Sequence, residues 1–426
     1  MSLRTIVFSL SLGALTAGSF FLVASAVLPR AMRAPRARRR VVWASLGLGL
    51  TALALELLAR RLVPFGGGPW RAFIGPMRAL SFASLFVGAF TVTLRVLAAL
   101  IPVARTEAPR AAATTPDETP DETPDETPNE TPRETAPEAS RAQAPLDRRE
   151  LVVATGAALA SVAAFGAAVV GNRRRLDAAV REVEVFIADL PPALEGYTLV
   201  QLSDLHLGVF TGRDELGLLE ETVTHLRPDQ VVMTGDIFDF NPRHIAEGVA
   251  ALARIRGRRG VYTILGNHDH YTGAARVAEG LARAGLSPLI NGAVRLEGTE
   301  LLLAGVDDIM APVVRSGPGP DLRRALGWHP EVDPDAPVIL LAHNPVFFDA
   351  TPERVKLTLS GHTHGGQIDL GPVSRAILPY IAGRYDRNGR TLFVSRGNGV
   401  TGPPVRIGAP SEVVRIALTG RRRANM

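Results

Sequence analysis

Five short runs of β-branched and aliphatic residues follow residue 190, and they constrain the fold more than any other feature of the chain. They span residues 197–203, 230–234, 261–265, 338–342 and 355–360. Between them, segments 214–226, 245–255 and 274–284 carry Leu, Val and Ala at helical spacing. Strands alternating with helices predict an α/β domain over residues 176–426, with a substantially parallel sheet or two sheets packed face to face.

Each of these runs ends directly in a polar cluster. The clusters are DLH, GDIFD, GNHD, HN and GHTHGG, which begin at residues 204, 235, 266, 343 and 361. All nine histidines of the chain lie after residue 205, and five of them fall in the clusters. Because ligands of open α/β sheets gather beyond the carboxyl ends of the strands, we expect the five clusters to converge on one site.

The residue types in the clusters are those of a metal site. Residues i and i+2 of an extended segment project to the same side, so Asp204 with His206, and His362 with His364, can each present two ligands. The chain contains no cysteine, so a metal must take nitrogen and oxygen ligands, which suit manganese, iron or zinc. The candidate ligands are Asp204, His206, Asp236, Asn267, His343, His362 and His364. This set is too large for one ion and predicts two metals about 3.5 to 4 Å apart, as in phosphatases and nucleases.

The order of the five clusters resembles that of the calcineurin-like metallophosphoesterases. Two further segments, GHTHGGQ at 361–367 and SRGNGVTGPPVR at 395–406, resemble the bacterial membrane-associated branch of that family. The resemblance covers about residues 190–416. It implies a sandwich of two β-sheets flanked by helices, and an enzyme that hydrolyses phosphoric esters with bound metal.

The resemblance also implies a role for each residue. One metal would take Asp204, His206 and His364, the other would take Asn267, His343 and His362, and Asp236 would bridge both. His268 would protonate the leaving alkoxide or steady the transition state, while Asp239 and Asp269 would orient ligands. Two divalent ions lower the pKa of a bridging water, so a bridging hydroxide would attack the phosphate ester near neutral pH.

The N-terminal part of the chain is apolar and predicts membrane attachment. Runs 5–28, 41–58 and 80–101 give a membrane region, 1–104, with three candidate transmembrane helices preceding the α/β domain. The first run also fits a cleaved signal peptide. A fourth run, 151–170, makes segment 148–175 a fourth transmembrane helix or a signal-anchor, and its preceding arginine pair resembles a twin-arginine export signal.

Between the third and fourth runs, Thr-Pro-Asp-Glu recurs and predicts a disordered linker over residues 105–147, because proline at every fourth position forbids a regular helix. The loop 29–40 carries six arginines, which favours a cytoplasmic loop and, with four spans, a multi-pass protein whose catalytic domain is extracytoplasmic. Arginines 173–175 argue for the opposite orientation.

A membrane location suggests a lipid-linked or envelope phosphate ester as substrate, with the lipid bilayer as partner. A nucleotide or nucleic-acid phosphodiesterase is the alternative enzyme. The globular part shows no basic stripe interleaved with aromatic residues, so no nucleic-acid partner is expected. A non-catalytic membrane-bound sensor or scaffold is the alternative from another class, and the intact His268 argues against it. Ester type and oligomeric state stay open.

Overall fold

The computed structural model describes residues 16–28, 32, 34–62, 71–99, 148–174, 177–188, 190–296, 298–327, 333, 335–369 and 371–421. Contacts divide the chain into two units. The first comprises Met1–Thr51 and Ser84–Ala164, and the second comprises Ala52–Ala83 and Phe165–Met426. The predicted linker, 105–147, lies outside the described residues.

Four helices make up the described N-terminal part: α1 (Thr16–Val27), α2 (Pro35–Leu62), α3 (Arg71–Ala99) and α4 (Arg148–Arg174). Within the first unit, α1 and α4 meet through small residues. Ala26 and Ala157 are buried against each other's helices together with Val153. Arg95 Nη2 donates a hydrogen bond to Ser25 Oγ at 2.7 Å.

One helix among the described residues, Arg148–Arg173 within α4, is long and apolar enough to cross a membrane by length and composition. The apolar run 41–58 lies in α2, and residues 80–99 of the third run lie in α3; the side chains of both helices are described only in part. The run 5–28 is described only from residue 16, where it forms the shorter apolar helix α1. A multi-pass topology therefore stays a prediction.

The second unit contains two six-stranded sheets. The first has, in spatial order, β1 (Ala179–Phe186), β12 (Glu412–Thr419), β2 (Thr198–Leu202), β3 (Gln230–Thr234), β4 (Val261–Ile264) and β5 (Ser287–Pro288). The second has β10 (Gly383–Arg387), β11 (Arg390–Val394), β9 (Val355–Ser360), β8 (Val338–Leu341), β7 (Leu302–Gly305) and β6 (Gly292–Arg295). Strands β2 to β5 run parallel, as do β7, β8, β9 and β11. The prediction of an α/β fold with two sheets is confirmed.

Helices α5 (Arg213–Leu226), α6 (Ile245–Leu252), α8 (Ala274–Arg283) and α10 (Leu322–Gly327) cover the outer faces of the sheets. The short helices α7 (Asn267–Thr272), α9 (Met310–Val313) and α11 (Pro372–Ile377) follow the carboxyl ends of β4, β7 and β9. Leu216 of α5 and Val277 of α8 pack on the first sheet, and Ala325 of α10 packs on the second. Between the sheets, Val232 and Ile339 belong to one fully buried cluster. Burial of such aliphatic side chains, worth about 1.5–3 kcal/mol each, fixes the two sheets face to face.

The five predicted strands and three predicted helices are present, with ends that differ by at most three residues from the predicted ones. Strands β1, β5, β6, β7, β10, β11 and β12 were not predicted from the sequence. Strand β12 is parallel to β1 and antiparallel to β2, so β1 begins at the same edge of the sheet at which β2 ends.

Candidate metal centre

The polar clusters follow the carboxyl ends of β2, β3, β4, β8 and β9, and there they meet. Five of their non-glycine residues have left-handed backbone, with φ between 45° and 73°: Asp204, His206, Asp236, His362 and His364. This conformation costs about 1–2 kcal/mol for each residue that carries a β-carbon. Such strain persists only where the surrounding structure holds it, and it is typical of functional sites.

Glycines allow the backbone of neighbouring clusters to come close. A β-carbon at Gly266 would overlap Asp236 Oδ1, and one at Gly361 would overlap Asp204 Oδ2. Each glycine therefore makes room for the carboxylate of another cluster.

The first group of residues that could hold a metal ion is Asp204, His206 and His364. His206 Nε2 and His364 Nε2 lie 2.9 Å apart, and His364 Nε2 is 3.6 Å from Asp204 Oδ1. Asp204 Oδ1 accepts a hydrogen bond from the backbone N–H of His362 at 2.9 Å, while its buried Oδ2 has no hydrogen-bond partner. Burial raises the pKa of Asp204 to about 6. The group thus concentrates acceptor atoms in one place.

The second group is Asp236, His343 and His362, and Asn267 lies among them. Asn267 Oδ1 is 2.9 Å from His362 Nδ1 and 3.2 Å from His343 Nε2. His343 Nδ1 lies 2.8 Å from the carbonyl oxygen of Thr234 and must be a protonated nitrogen there, since a carbonyl only accepts. This bond directs His343 Nε2 into the group.

Asp236 lies between the two groups. Its Oδ2 is 3.3 Å from His343 Nε2 and 3.6 Å from His206 Nε2. Its Oδ1 accepts a hydrogen bond from the backbone N–H of His268 at 2.8 Å. The Asp236 carboxylate therefore faces ligand atoms of both groups. The backbone N–H of His268, in the cluster after β4, holds it in that position.

His268 lies beside these groups, in contact with an acidic and an aromatic neighbour. Its Nδ1 is 3.4 Å from Asp239 Oδ1, and its ring centroid is 4.5 Å from those of His206 and Phe240. Asp239, expected from the family resemblance to orient ligands, also forms a third group that could hold a metal ion, with His206 and His268.

Asp269 is buried and contacts the backbone instead. Its Oδ2 accepts N–H bonds from Gly266 at 3.0 Å and Ile237 at 3.1 Å, and its Oδ1 accepts one from Phe238 at 2.8 Å. These bonds fasten the loop after β3 to the loop after β4. Asp269 therefore supports the positions of Asp236 and its neighbours from outside the three groups.

The histidines divide by charge. Burial, aided by the positive charge of His268, lowers the pKa of His206 to about 3, and burial lowers that of His362 to about 4. These rings are neutral and retain a lone pair that a metal can use. Burial also opposes the charged form of His268, but the carboxylates of Asp236 and Asp239 together raise its pKa above the usual value. His268 is therefore suited to carry a proton.

The residues present fit divalent metal ions. Two ring nitrogens 2.9 Å apart in His206 and His364, together with the unpartnered Oδ2 of Asp204, form a buried excess of acceptor atoms. A cation satisfies such an excess, and the nitrogen and oxygen donors suit manganese, iron or zinc.

Two further polar residues, His270 and Asn398, hold neighbouring segments in place. His270 is buried, with Nε2 2.8 Å from Asp307 and Nδ1 2.8 Å from Ser316. Asn398 accepts a hydrogen bond from the backbone N–H of Ser203 and so ties the tail of the domain to the end of β2.

Two arginines lie near the centre, and one of them, Arg406, belongs to the family-like segment 395–406. The buried guanidinium of Arg406 donates to the carbonyl oxygens of Gly399 and Ala409 and lies 3.3 Å from His364 Nδ1. Arg78, on α3, lies with its guanidinium carbon 5.0 Å from the ring centroid of Phe210. It precedes the third apolar run, far from the clusters in sequence, so no local signal relates it to them.

Arg78 also acts on the centre electrostatically. Burial raises the pKa of Asp239, but His268, His206 and Arg78 together lower it to about 2. Asp239 is therefore a carboxylate near neutral pH.

We expect Gly361→Ala to weaken metal binding about tenfold to a hundredfold, because its β-carbon displaces the Asp204 carboxylate. Metal titration of the full chain in detergent measures the affinity, and far-ultraviolet circular dichroism checks the fold. Gly217→Ala on α5 is the control, since a β-carbon there meets nothing within 4 Å. Wild-type affinity in Gly361→Ala would contradict the geometry given for Asp204.

Comparison with known proteins gives the family. The family model for calcineurin-like phosphoesterase matches residues 197–366. A protein of Bos taurus named transmembrane protein with metallophosphoesterase domain is 37% identical over 256 residues, which cover 56% of this chain and 57% of that protein. The chain thus spans little more than half the length of this relative.

Bacterial relatives align over more of their own length. An uncharacterized metallophosphoesterase of Bacillus subtilis is 32% identical over 242 residues, which cover 54% of this chain and 81% of that protein. Another, from Aquifex aeolicus, is 31% identical over 266 residues, which cover 60% of this chain and 99% of that protein. Because 99% of that protein aligns with this chain at 31% identity, the chain belongs to the calcineurin-like metallophosphoesterase family.

Proposed function

We propose that this metallophosphoesterase hydrolyses phosphate esters with two divalent metal ions held on either side of Asp236, at the surface of a membrane. The observation that carries the proposal is the position of Asp236 Oδ2, within 3.6 Å of one histidine from each ligand group. A carboxylate so placed can bind two ions at once. Two ions account for the number of donor atoms that converge there.

Each ion would have its own ligands besides Asp236. Asp204, His206 and His364 would hold one ion, and Asn267, His343 and His362 would hold the other. Manganese, iron and zinc all fit these donors. When bound, the ions would supply an acidified water and neutralise charge on the phosphoryl oxygens.

His268 would supply the proton for the leaving group. Its Nδ1 faces Asp239 at 3.4 Å, so Nε2 is the nitrogen left for an oxygen of the substrate. The carboxylate both orients the ring and stabilises its charged form. Departure of an alkoxide needs such a proton, whereas an aryl oxide departs with less help.

Phe240 and Tyr271 would line the approach to His268. Their rings are stacked, with centroids 5.7 Å apart and planes 8° from parallel, and Phe240 contacts the ring of His268. Both side chains are exposed. The aromatic pair favours a leaving group with an apolar or planar part, and it is the feature that keeps a nucleotide or nucleic-acid phosphodiesterase as the second candidate.

Attachment to the membrane is proposed through α4. Its segment Arg148–Arg173 has the length and composition of a span, and the bovine relative is named a transmembrane protein. Further spans in the apolar runs 5–28, 41–58 and 80–101 would make the protein multi-pass, and the arginine-rich loop 29–40 favours an extracytoplasmic catalytic domain.

We expect Asp236→Asn to abolish metal pairing and to lower kcat at least about a hundredfold, because a neutral amide cannot bind two cations as a carboxylate does. Elemental analysis gives the metal content per chain, and turnover of aryl phosphate monoesters and diesters gives the rate. Asp214→Asn is the matched control, an exposed carboxylate on α5. Full metal content and wild-type turnover in Asp236→Asn would refute the dinuclear proposal. A fully loaded wild-type chain without turnover would identify a sensor or scaffold instead.

We expect His268→Ala to retain both metals but to lose about a hundredfold or more in kcat for alkyl phosphates, with a much smaller loss for nitrophenyl esters. The dependence of rate on the leaving group separates proton donation from a structural defect, which would lower both rates alike. His225→Ala, at an exposed histidine of α5, should match the wild type on both ester classes. Equal losses on alkyl and aryl esters would exclude His268 as the proton donor.

A further inference from the structure

Exposed large apolar side chains gather at one edge of the two-sheet sandwich in the part of the chain described from residue 177 onward. Six of them lie in the segments that leave β3, β4, β7, β8 and β9 at their carboxyl ends: Phe240, Tyr271, Val313, Val346, Val373 and Ile377. Val180, the second residue of β1, lies at the same edge, whereas Leu218 lies on α5. This edge, hereafter the apolar edge, is the one that carries the metal centre.

The opposite edge has a different character. The segments that lead into the same parallel strands carry exposed charged residues, such as Arg258 and Arg259 before β4 and Glu353 before β9. The exposed large apolar side chains therefore lie mainly at one end of the strands, whereas charged side chains are exposed at both ends. A cluster of exposed apolar residues is typical of a surface that binds a membrane or another molecule.

The end of the candidate span is packed on the apolar edge. The carbonyl oxygen of Gly171 accepts a hydrogen bond from the backbone N–H of Arg406 at 3.2 Å, and Asn172 Nδ2 donates one to the carbonyl oxygen of Pro404 at 2.9 Å. A β-carbon at Gly171 would lie 2.6 Å from Val405 Cγ1. Because the side chain of Arg406 reaches within 3.3 Å of His364 Nδ1, one residue connects the helix end to the metal centre.

Helix α11 is attached to the same loop. The backbone N–H of Asp369 donates to the carbonyl oxygen of Ile407 at 2.8 Å, and α11 begins three residues later, at most about 11 Å along an extended chain. Val373 and Ile377 are one helical turn apart and are 56% and 73% exposed, and α11 contains no buried residue. The helix therefore presents an uncovered apolar face close in sequence to the loop that holds the end of α4.

We propose that the apolar edge faces the bilayer that α4 crosses, and that α11 lies in the interface of that bilayer with Val373 and Ile377 among the acyl chains. The occupant is argued from continuity: a membrane around α4 ends near Gly171, and the loop bound there leads directly into α11. Exposed arginines accompany the apolar residues, Arg173 at the end of α4 and Arg375 on α11, where a phosphate layer would meet them.

What this position implies for the substrate rests on the proposed function, the hydrolysis of phosphate esters at the metal centre. A metal centre at the membrane-facing edge meets phosphates at the depth of the lipid headgroups. The substrate class that fits is therefore a phosphate ester of a membrane lipid, which reaches the centre from the bilayer without leaving it.

Site-directed spin labelling tests the position of α11 independently of activity. The chain contains no cysteine, so Ile377→Cys and Glu353→Cys each carry a single nitroxide in the full chain, reconstituted in phosphatidylcholine vesicles. Glu353 is the matched control, because it precedes β9 while α11 follows the same strand. We expect the label at 377 to be at least about threefold more accessible to oxygen than to a water-soluble nickel chelate, and the label at 353 to show the reverse.

Two outcomes would overturn the proposal. Equal access of the nickel chelate to labels at 377 and 353 would mean that α11 lies in water. Exclusion of both oxygen and nickel at 377 would mean that a protein surface, such as a second copy of the chain, covers the helix.

A kinetic comparison tests the substrate class. The ester type is first set with aryl monoesters and diesters, and lipid and soluble partners of the same ester are then compared: phosphatidic acid with glycerol phosphate, or phosphatidylglycerol with glycerophosphoglycerol. We expect kcat/KM to favour the lipid by at least about tenfold, and the double variant Val373→Ser, Ile377→Ser to lose this preference while keeping its rate on the soluble ester. Leu218→Ser, at the exposed apolar residue on α5, should keep the preference.

The experiments distinguish a failure of the proposed function from a failure of the lipid-substrate proposal. If no ester of any kind is cleaved, the proposed function is wrong, and the spin labels still report whether α11 lies in the bilayer. If soluble and lipid esters are cleaved equally by the wild type, the enzyme is established and the lipid substrate is refuted.

Discussion

The centre depends on one buried carboxylate, Asp236, at the end of β3. Its two oxygens contact three clusters at once, because Oδ1 accepts the N–H of His268 while Oδ2 faces His206 and His343. Five cluster residues adopt left-handed backbone where the clusters converge, and this conformation costs about 1–2 kcal/mol for each of them. Hydrogen bonds from backbone N–H groups to carboxylates offset part of that cost, as Asp269 shows with three of them. Bound cations would offset more, so metal binding and the local fold are coupled.

The parallel strands could be predicted because each is buried and ends at a change from aliphatic to polar residues. Strands β3 and β9 have the predicted ends, and the clusters that follow them meet as expected. Strand β1 could not be found in this way. Most of its residues are partly exposed, it carries charges such as Arg181 and Glu184, and its partner β12 lies at the other end of the domain. Pairing across that separation leaves no local pattern.

For the residues around the ligands, the sequence shows which amino acids are present but not which contacts they make. Arg406 and Asn398 lie in a segment that resembles the family, but their part in binding backbone carbonyls and N–H groups depends on tertiary contacts. Arg78 belongs to an apolar helix and reaches Phe210 only through the packing of the second unit. Ile377 is likewise exposed because no other described part of the fold covers that side of α11. Sequence periodicity describes one element at a time, and these features arise between elements.

The topology of the first sheet explains why the end of α4 lies close to the metal centre. Parallel strands place every ligand cluster at one edge, and β1 begins at that edge because it is parallel to β12, which is antiparallel to β2. Four residues separate the end of α4 from β1, a reach of at most about 18 Å between the flanking residues. A helix that enters the fold through β1 therefore arrives beside the metal centre. With so short a connection, the ligand edge has little freedom to turn away from the end of α4.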